Sequence, residues 1–135
     1  MSNIQKNNSE ITEFVKFIHN KGEVKAFLED IHLITLNVAG LYYAENIDEI
    51  FPKIKKGDIL DLFREKDNVH DKYAILVKYS GDKIGHVPRK HNRILANMMD
   101  GGKELYGVVE DIFTDGAVYE PDEFKVIIFK IFLKE

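Results

Sequence analysis

Between Arg64 and Arg89 the chain reads REKDNVHDKYAILVKYSGDKIGHVPR, and this run leaves few folds open. A charged strand end (Leu60–Arg64) leads into a short polar loop, Glu65-Lys66-Asp67-Asn68-Val69-His70-Asp71. The apolar segment that follows, Tyr73-Ala74-Ile75-Leu76-Val77, has the length and side-chain types of a buried strand. Ser80-Gly81-Asp82 is turn chemistry, and it sends the chain back along a third strand, Lys83–Val87. Pro88 has no N–H to give a ladder, so that strand stops and Arg89 opens a helix. Strands joined this tightly pair antiparallel. The polar loop is held between two of them, and loops on a rigid sheet are where small β domains carry binding residues. The run predicts a site, and a binding site before a catalytic one.

The rest of the chain extends the pattern. Ile31–Ala39 alternates, with His32, Ile34, Leu36 and Val38 on one face and Leu33, Thr35 and Asn37 on the other. Gly40-Leu41-Tyr42-Tyr43 ends that strand, and Ile47–Ile54 reads as one or two helical turns. Ile59–Phe63 alternates as a strand should. Arg89–Met99 is predicted as a helix with Ile94, Leu95 and Met98 facing inward, closed by Asp100-Gly101-Gly102. Two longer strands, Leu105–Phe113 and Phe124–Leu133, flank an acidic loop, Thr114–Glu123. Six short strands with turns at this spacing fit a small antiparallel barrel or sandwich. Strands and helices do not alternate along the chain, which argues against a doubly wound sheet. Ahead of them Ile11, Phe14, Val15, Phe17 and Ile18 follow Ser9 at amphipathic-helix spacing. Residues 1–30 are therefore expected to be a helical extension on a domain spanning 31–135.

Composition narrows the classes of function. A chain of 135 residues, 44% hydrophobic, supports one domain with a real core. With no Cys there is no disulfide framework and no thiolate metal site. No charged-then-apolar leader and no apolar run of ~18 residues are present, so a soluble, cytoplasmic protein with no membrane partner is expected. Net charge is −4, but Asp100–Glu123 holds 8 acidic against 1 basic residue, which is −7 on its own. By contrast Lys83–Arg93 carries Lys83, Arg89, Lys90 and Arg93 and no acid. Coating long phosphate backbones needs many basic contacts, so the charge pattern suits a short piece or an end of nucleic acid, or simply a solvated helix face.

Enzyme signatures are absent: no GxxxxGK[ST], no GxGxxG, no HExxH and no GxSxG. His70, Asp71 and His86 lie near strand ends that can converge, yet zinc recruits three or four such ligands, and no metal or other cofactor is expected. Asp67, Asn68 and Asp71 have a purely local reading, since Asp and Asn cap turns through backbone N–H groups. Tyr42-Tyr43 directly after Gly40 is either rim packing or an exposed platform on which a nucleobase stacks. In a strand pair one of those rings would face the core.

Three blocks carry a resemblance. Val38-Ala39-Gly40-x-x-Tyr43 is the first. The second is Gly57-Asp58-x-Leu60-x-Leu62-x-Arg64-Glu65-x-Asp67-Asn68-x-x-Asp71-x-x-Ala74-Ile75-x-Val77. The third is Lys83-Ile84-Gly85-His86-Val87-Pro88-Arg89, continuing through Asp100-x-Gly102 to Val108-Val109. In order, spacing and residue type they resemble the HIRAN domain, over roughly residues 31–133. The resemblance implies a modified OB-like six-stranded barrel and a non-catalytic module that captures the 3′-hydroxyl end of single-stranded DNA in repair or mobile-element processes. It implies partners such as a helicase, nuclease or other repair protein. Carried over by position, Tyr43 stacks on a terminal base, His70 fills the place of a second stacking aromatic, and Asp71 accepts from the 3′-hydroxyl. His86 and Arg89 hold terminal phosphates, Tyr42 stands where a basic side chain is usual, and Asn68 belongs to the loop that presents them. The family loop often reads Asn-Pro-Tyr-Asp, against Asn68-Val69-His70-Asp71 here. Two rival classes follow from those departures and from the acidic loop: an interaction module on the same fold without DNA affinity, and, last, an enzyme using His70, Asp71 and His86.

Overall fold

The computed structural model describes residues 29–115 and 124–135. The amphipathic helix expected from Ser9 lies outside them, as does most of the acidic loop. Six strands follow in chain order: β1 (Ile31–Asn37), β2 (Ile59–Arg64), β3 (Ile75–Tyr79), β4 (Asp82–His86), β5 (Leu105–Asp115) and β6 (Phe124–Leu133). Two helices join them, α1 (Ile47–Ile50) between β1 and β2 and α2 (Arg89–Asp100) between β4 and β5. All strand pairs are antiparallel, and the sheet order is β1-β6-β5-β2-β3-β4. Among the described residues no helix is long and apolar enough to cross a membrane.

The period-2 pattern decides which side of the sheet is buried. Leu60 and Leu62 of β2 point inward while Ile59, Asp61 and Phe63 are exposed. Ile75 and Val77 of β3 and Ile127, Phe129 and Ile131 of β6 complete the inner face. Leu41, Ile47, Ile50 and Ile54 close one side of this core, and Leu95 and Ala96 pack into it from α2. Each such aliphatic or aromatic side chain contributes about 1.5–3 kcal/mol by leaving water.

The closed barrel expected from the sequence is not formed. Bulges between His32 and Ile34, Val77 and Lys78, and Val109 and Asp111 coil the sheet, and its two edges approach. Among the described residues they meet at one bridge, Ala39 with His86, where each N–H donates to the other's carbonyl at 2.8 Å. On one side the chain then turns away at Gly40, whose φ of 72° is left-handed and suits a residue without Cβ. On the other side β4 runs out before Pro88. Neither segment has residues left to extend a ladder. Gly85 is the condition for even this contact, because a methyl there would collide with the Ala39 carbonyl and lie 2.6 Å from Val38 Cγ1.

The α2 helix starts at Arg89 as expected but is rotated. Its buried residues are Asn92, Leu95 and Ala96, with Met98 and Met99 packed against the core, and Ile94 is 72% exposed. Two residues beyond Asn92 is about 200° around a helix, so burying Asn92 turns Ile94 outward.

Candidate functional site

At the seam between the two sheet edges lies an open cleft of about 260 Å³, lined by Ala39, Gly40, Asn68, His70, Asp71, Ala74, His86, Val87 and Arg89. Three elements build it: the bridge segment Ala39-Gly40, the loop between β2 and β3, and the passage from β4 into α2.

The loop is held by its own side chains. Asn68 Oδ1 accepts from the backbone N–H of His70 at 2.9 Å and of Asp71 at 3.0 Å. Asp71 Oδ1 accepts from the Tyr73 N–H at 2.9 Å. These are the turn caps that short Asn and Asp side chains provide. Below the loop Arg64 donates to Ala74 O at 2.6 Å, to Lys72 O at 2.9 Å and, through Nε and Nη2, to both Asp100 oxygens. This guanidinium ties the end of β2 to the start of β3 and to the last residue of α2. Its hydrogen bond to Asp100, with the Arg64 and Lys66 charges, holds the Asp100 carboxyl below its ordinary range against a smaller effect of burial.

Three contacts join α2 to this loop. Arg89 donates to His70 O at 2.5 Å, and its Nε lies 3.5 Å from Asp71 Oδ2. The buried Asn92 amide donates to the same Asp71 oxygen at 2.8 Å. From β4, His86 Nε2 lies 2.6 Å from Glu65 Oε1, which also accepts from Asn68 Nδ2 at 3.3 Å. Burial pushes the Glu65 carboxyl up. The hydrogen bonds from His86 and Asn68 and the charges of His86 and Lys83 outweigh it, and the group sits below its ordinary range. An ionised carboxylate only accepts, so the shared proton belongs to His86 Nε2.

Of the residues singled out in the sequence, Asn68, His70, Asp71, His86 and Arg89 line this one cleft. Tyr42 and Tyr43 do not line it. They follow Gly40 in a 3₁₀ turn, Leu41–Tyr43, with rings packed edge to face at 5.7 Å. Because the segment is a turn and not a strand, neither ring enters the core: Tyr42 is 66% and Tyr43 86% exposed. Among the described residues no group of three or more ligating side chains forms a metal set. Sequence reasoning missed Glu65, Asn92 and the depth of Arg64's engagement. Asn92 had a signal, since it shares the spacing of Leu95, Ala96 and Met99 and so interrupts an inward stripe with an amide. Glu65 stood in the second block of the resemblance but carried no assigned role, because a carboxylate at a strand end reads as solvated.

Compared with known proteins, residues 31–128 match the family described as the HIRAN domain. Two solved structures are similar. A protein from Lactobacillus plantarum is 26% identical with a TM-score of 0.60, over 77% of this chain and 97% of that one. The HIRAN domain of human HLTF is 24% identical with a TM-score of 0.55, over 74% of this chain and 73% of that one. No curated protein matches the sequence.

Proposed function

The chain belongs to the HIRAN domain family, and we propose that it is a non-catalytic binder of nucleic acid that takes the 3′-hydroxyl end of single-stranded DNA in the seam cleft. The observation that carries this reading is the Asp71 carboxylate and the Arg89 guanidinium set against each other at 3.5 Å on one open surface. A carboxylate accepts a hydrogen bond from a hydroxyl and repels a phosphate, whereas the guanidinium takes a phosphate. Together they favour a chain end over an internal linkage, a discrimination worth roughly 1–3 kcal/mol for one such bond.

The other residues supply affinity without sequence choice. The exposed Tyr43, in the turn that follows the cleft-lining Gly40, and the His70 imidazole on the loop are platforms for terminal bases, at about 1–3 kcal/mol per stacked base. His86 and Arg89 take the adjoining phosphates, Asn68 fixes the loop, and Tyr42 adds a ring where a cation is usual. The open, coiled sheet is an OB-like scaffold for this cleft. In a cell the partners are a DNA end and a helicase, nuclease or other repair protein that works on it.

One observation favours a second reading, an interaction module on the same fold without DNA affinity. Both Asp71 oxygens already accept bonds from Tyr73 and Asn92. Each carboxylate oxygen has a second lone pair, so Asp71 keeps room for a hydroxyl and the end-binding reading leads. Anisotropy titration of short labelled single strands ending in 3′-hydroxyl or 3′-phosphate tests it. Tighter binding of the hydroxyl end is expected; equal affinity would sink end capture, and binding of neither end would leave the interaction module.

A further inference from the structure

We infer that Glu65 is a positioning residue of the cleft, whose carboxylate fixes the His86 imidazole in one tautomer and orientation and ties it to the Asn68 loop. The inference rests on the proposed reading of the cleft and adds a residue that does not line it.

A single oxygen makes the link. Glu65 Oε1 accepts from His86 Nε2 at 2.6 Å and from Asn68 Nδ2 at 3.3 Å, so β4 and the loop are set by one atom. Its own backbone is anchored, the N–H to Ala74 O at 3.0 Å and the carbonyl to the Asn68 N–H at 3.1 Å. The side chain therefore moves with the sheet and not with the loop tip. It is 26% exposed, and His86 makes an ion pair with it whenever the ring is protonated. A negative charge beside a phosphate-binding cleft opposes the ligand unless a neighbour neutralises it, and His86 is placed to do so.

The consequence is chemical. With the Nε2 proton committed to Glu65, the remaining ring nitrogen is Nδ1. In the neutral ring Nδ1 is an acceptor and cannot serve a phosphate, whereas in the imidazolium it is a donor. Phosphate contact through His86 then requires the charged ring, and affinity falls when the ring gives up that charge. The other groups around the pair are Lys83 on β4, Arg89 on α2, and Asp71 and His70 on the loop.

The test has two readouts on full-length protein. Histidine-ring ¹⁵N spectra, with His86 assigned through His86→Gln, should show a fixed Nε2–H tautomer in the parent and a mixture in Glu65→Gln. Anisotropy titration of a 3′-hydroxyl oligonucleotide at pH 6 and pH 8 should show the pH dependence of the parent lost in Glu65→Gln. Affinity at pH 6 should fall roughly ten- to a hundredfold, the effect of one charge-assisted bond. An unchanged tautomer, or parental affinity at both pH values in Glu65→Gln, overturns the inference. A variant that merely melts earlier with its tautomer intact also overturns it. If the parent binds neither kind of end, the reading of the cleft fails, and the ring spectra still decide whether Glu65 holds His86.

Discussion

Asn92, 2% exposed on the inner face of α2, donates its side-chain amide to Asp71 Oδ2 at 2.8 Å. A helix is thus bonded to the carboxylate that the proposed function places against the DNA end. Removing the amide leaves a part-buried carboxylate oxygen short of a donor. Asn92→Ala should cost about 1–3 kcal/mol in urea unfolding. Asn92→Asp keeps the shape but sets a second carboxylate against the first, so at pH 7 it should be less stable than Asn92→Ala. That gap should narrow toward pH 4 as one of the two carboxyls takes a proton.

The seam itself depends on Gly85. A side chain at this position meets the Ala39 carbonyl and Val38, both backbone or core groups that cannot swing away. Gly85→Ala should lower stability by roughly 1–3 kcal/mol, as overpacking does. It should also accelerate amide exchange at Ala39 and His86, whose N–H groups form the bridge. Protection of those two amides equal to the parent would show that the edges do not need this close approach.

These residues also mark how far the sequence could be read. The strands were legible because Leu60/Leu62 and Ile127/Phe129/Ile131 hold every second position of apolar segments bounded by turn residues, and each observed strand begins or ends within two residues of its expected bound. Pro88-Arg89 marked the start of α2 for a local reason, the missing N–H. The rotation of that helix was not legible, because Ile94 and Asn92 exchange places only when a distant partner, Asp71, makes a buried amide worthwhile. Closure of the barrel failed for a similar reason. Whether β1 and β4 form a ladder depends on how long both edges last at their meeting point, and no local pattern encodes that. In the candidate site the cleft-lining side chains carried motif signal, while Glu65 acts through His86, a residue far along the chain.

Tyr106 gives a pH-dependent check on the sheet. Its hydroxyl donates to Asp30 Oδ2 at 2.5 Å, and that bond, with burial and the Asp30 charge, pushes the phenol up to about 12. An unfolded phenol ionises near ~10, so the fold holds the neutral form. The stabilisation is complete below about pH 10 and is lost as pH climbs toward the folded value. Tyr106→Phe should therefore destabilise at pH 8 and converge with the parent in strong alkali. In a 295 nm absorbance titration it should remove one late-ionising tyrosine. The Tyr79 phenol, raised by its bond to Asp58, should remain late in both.

Salt separates end capture from general phosphate binding. In the proposed function only Arg89 and His86 take phosphates, so log affinity should fall gently with log salt. A slope corresponding to ~6 or more phosphate contacts would mean that the strand is held elsewhere on the surface.

Asp71→Asn tests the mechanism most directly, because Asp71 caps its loop and, in the proposed function, also accepts from the DNA end. The Tyr73 N–H bond to Oδ1 is a turn cap, and an Asn side-chain oxygen can take it over. Placed that way, the new amide nitrogen stands where Oδ2 was, facing the Asn92 amide and the Arg89 guanidinium, both donors. The loop should therefore survive with a loss of about 1–3 kcal/mol in stability. Binding should change in a different way. The 3′-hydroxyl loses its charged acceptor, so affinity for that end should fall by roughly 1–3 kcal/mol. A 3′-phosphate loses a repulsive neighbour, so the preference between ends should shrink or invert. Arg89→Ala should weaken both ends alike, since a phosphate contact carries no information about the terminus. The two variants thus predict opposite patterns in one titration, a change of preference against a change of affinity. Asp71→Asn that lowers the melting temperature while leaving the end preference at its parental value would reduce Asp71 to a loop cap, and the hydroxyl-selective mechanism would fall with it.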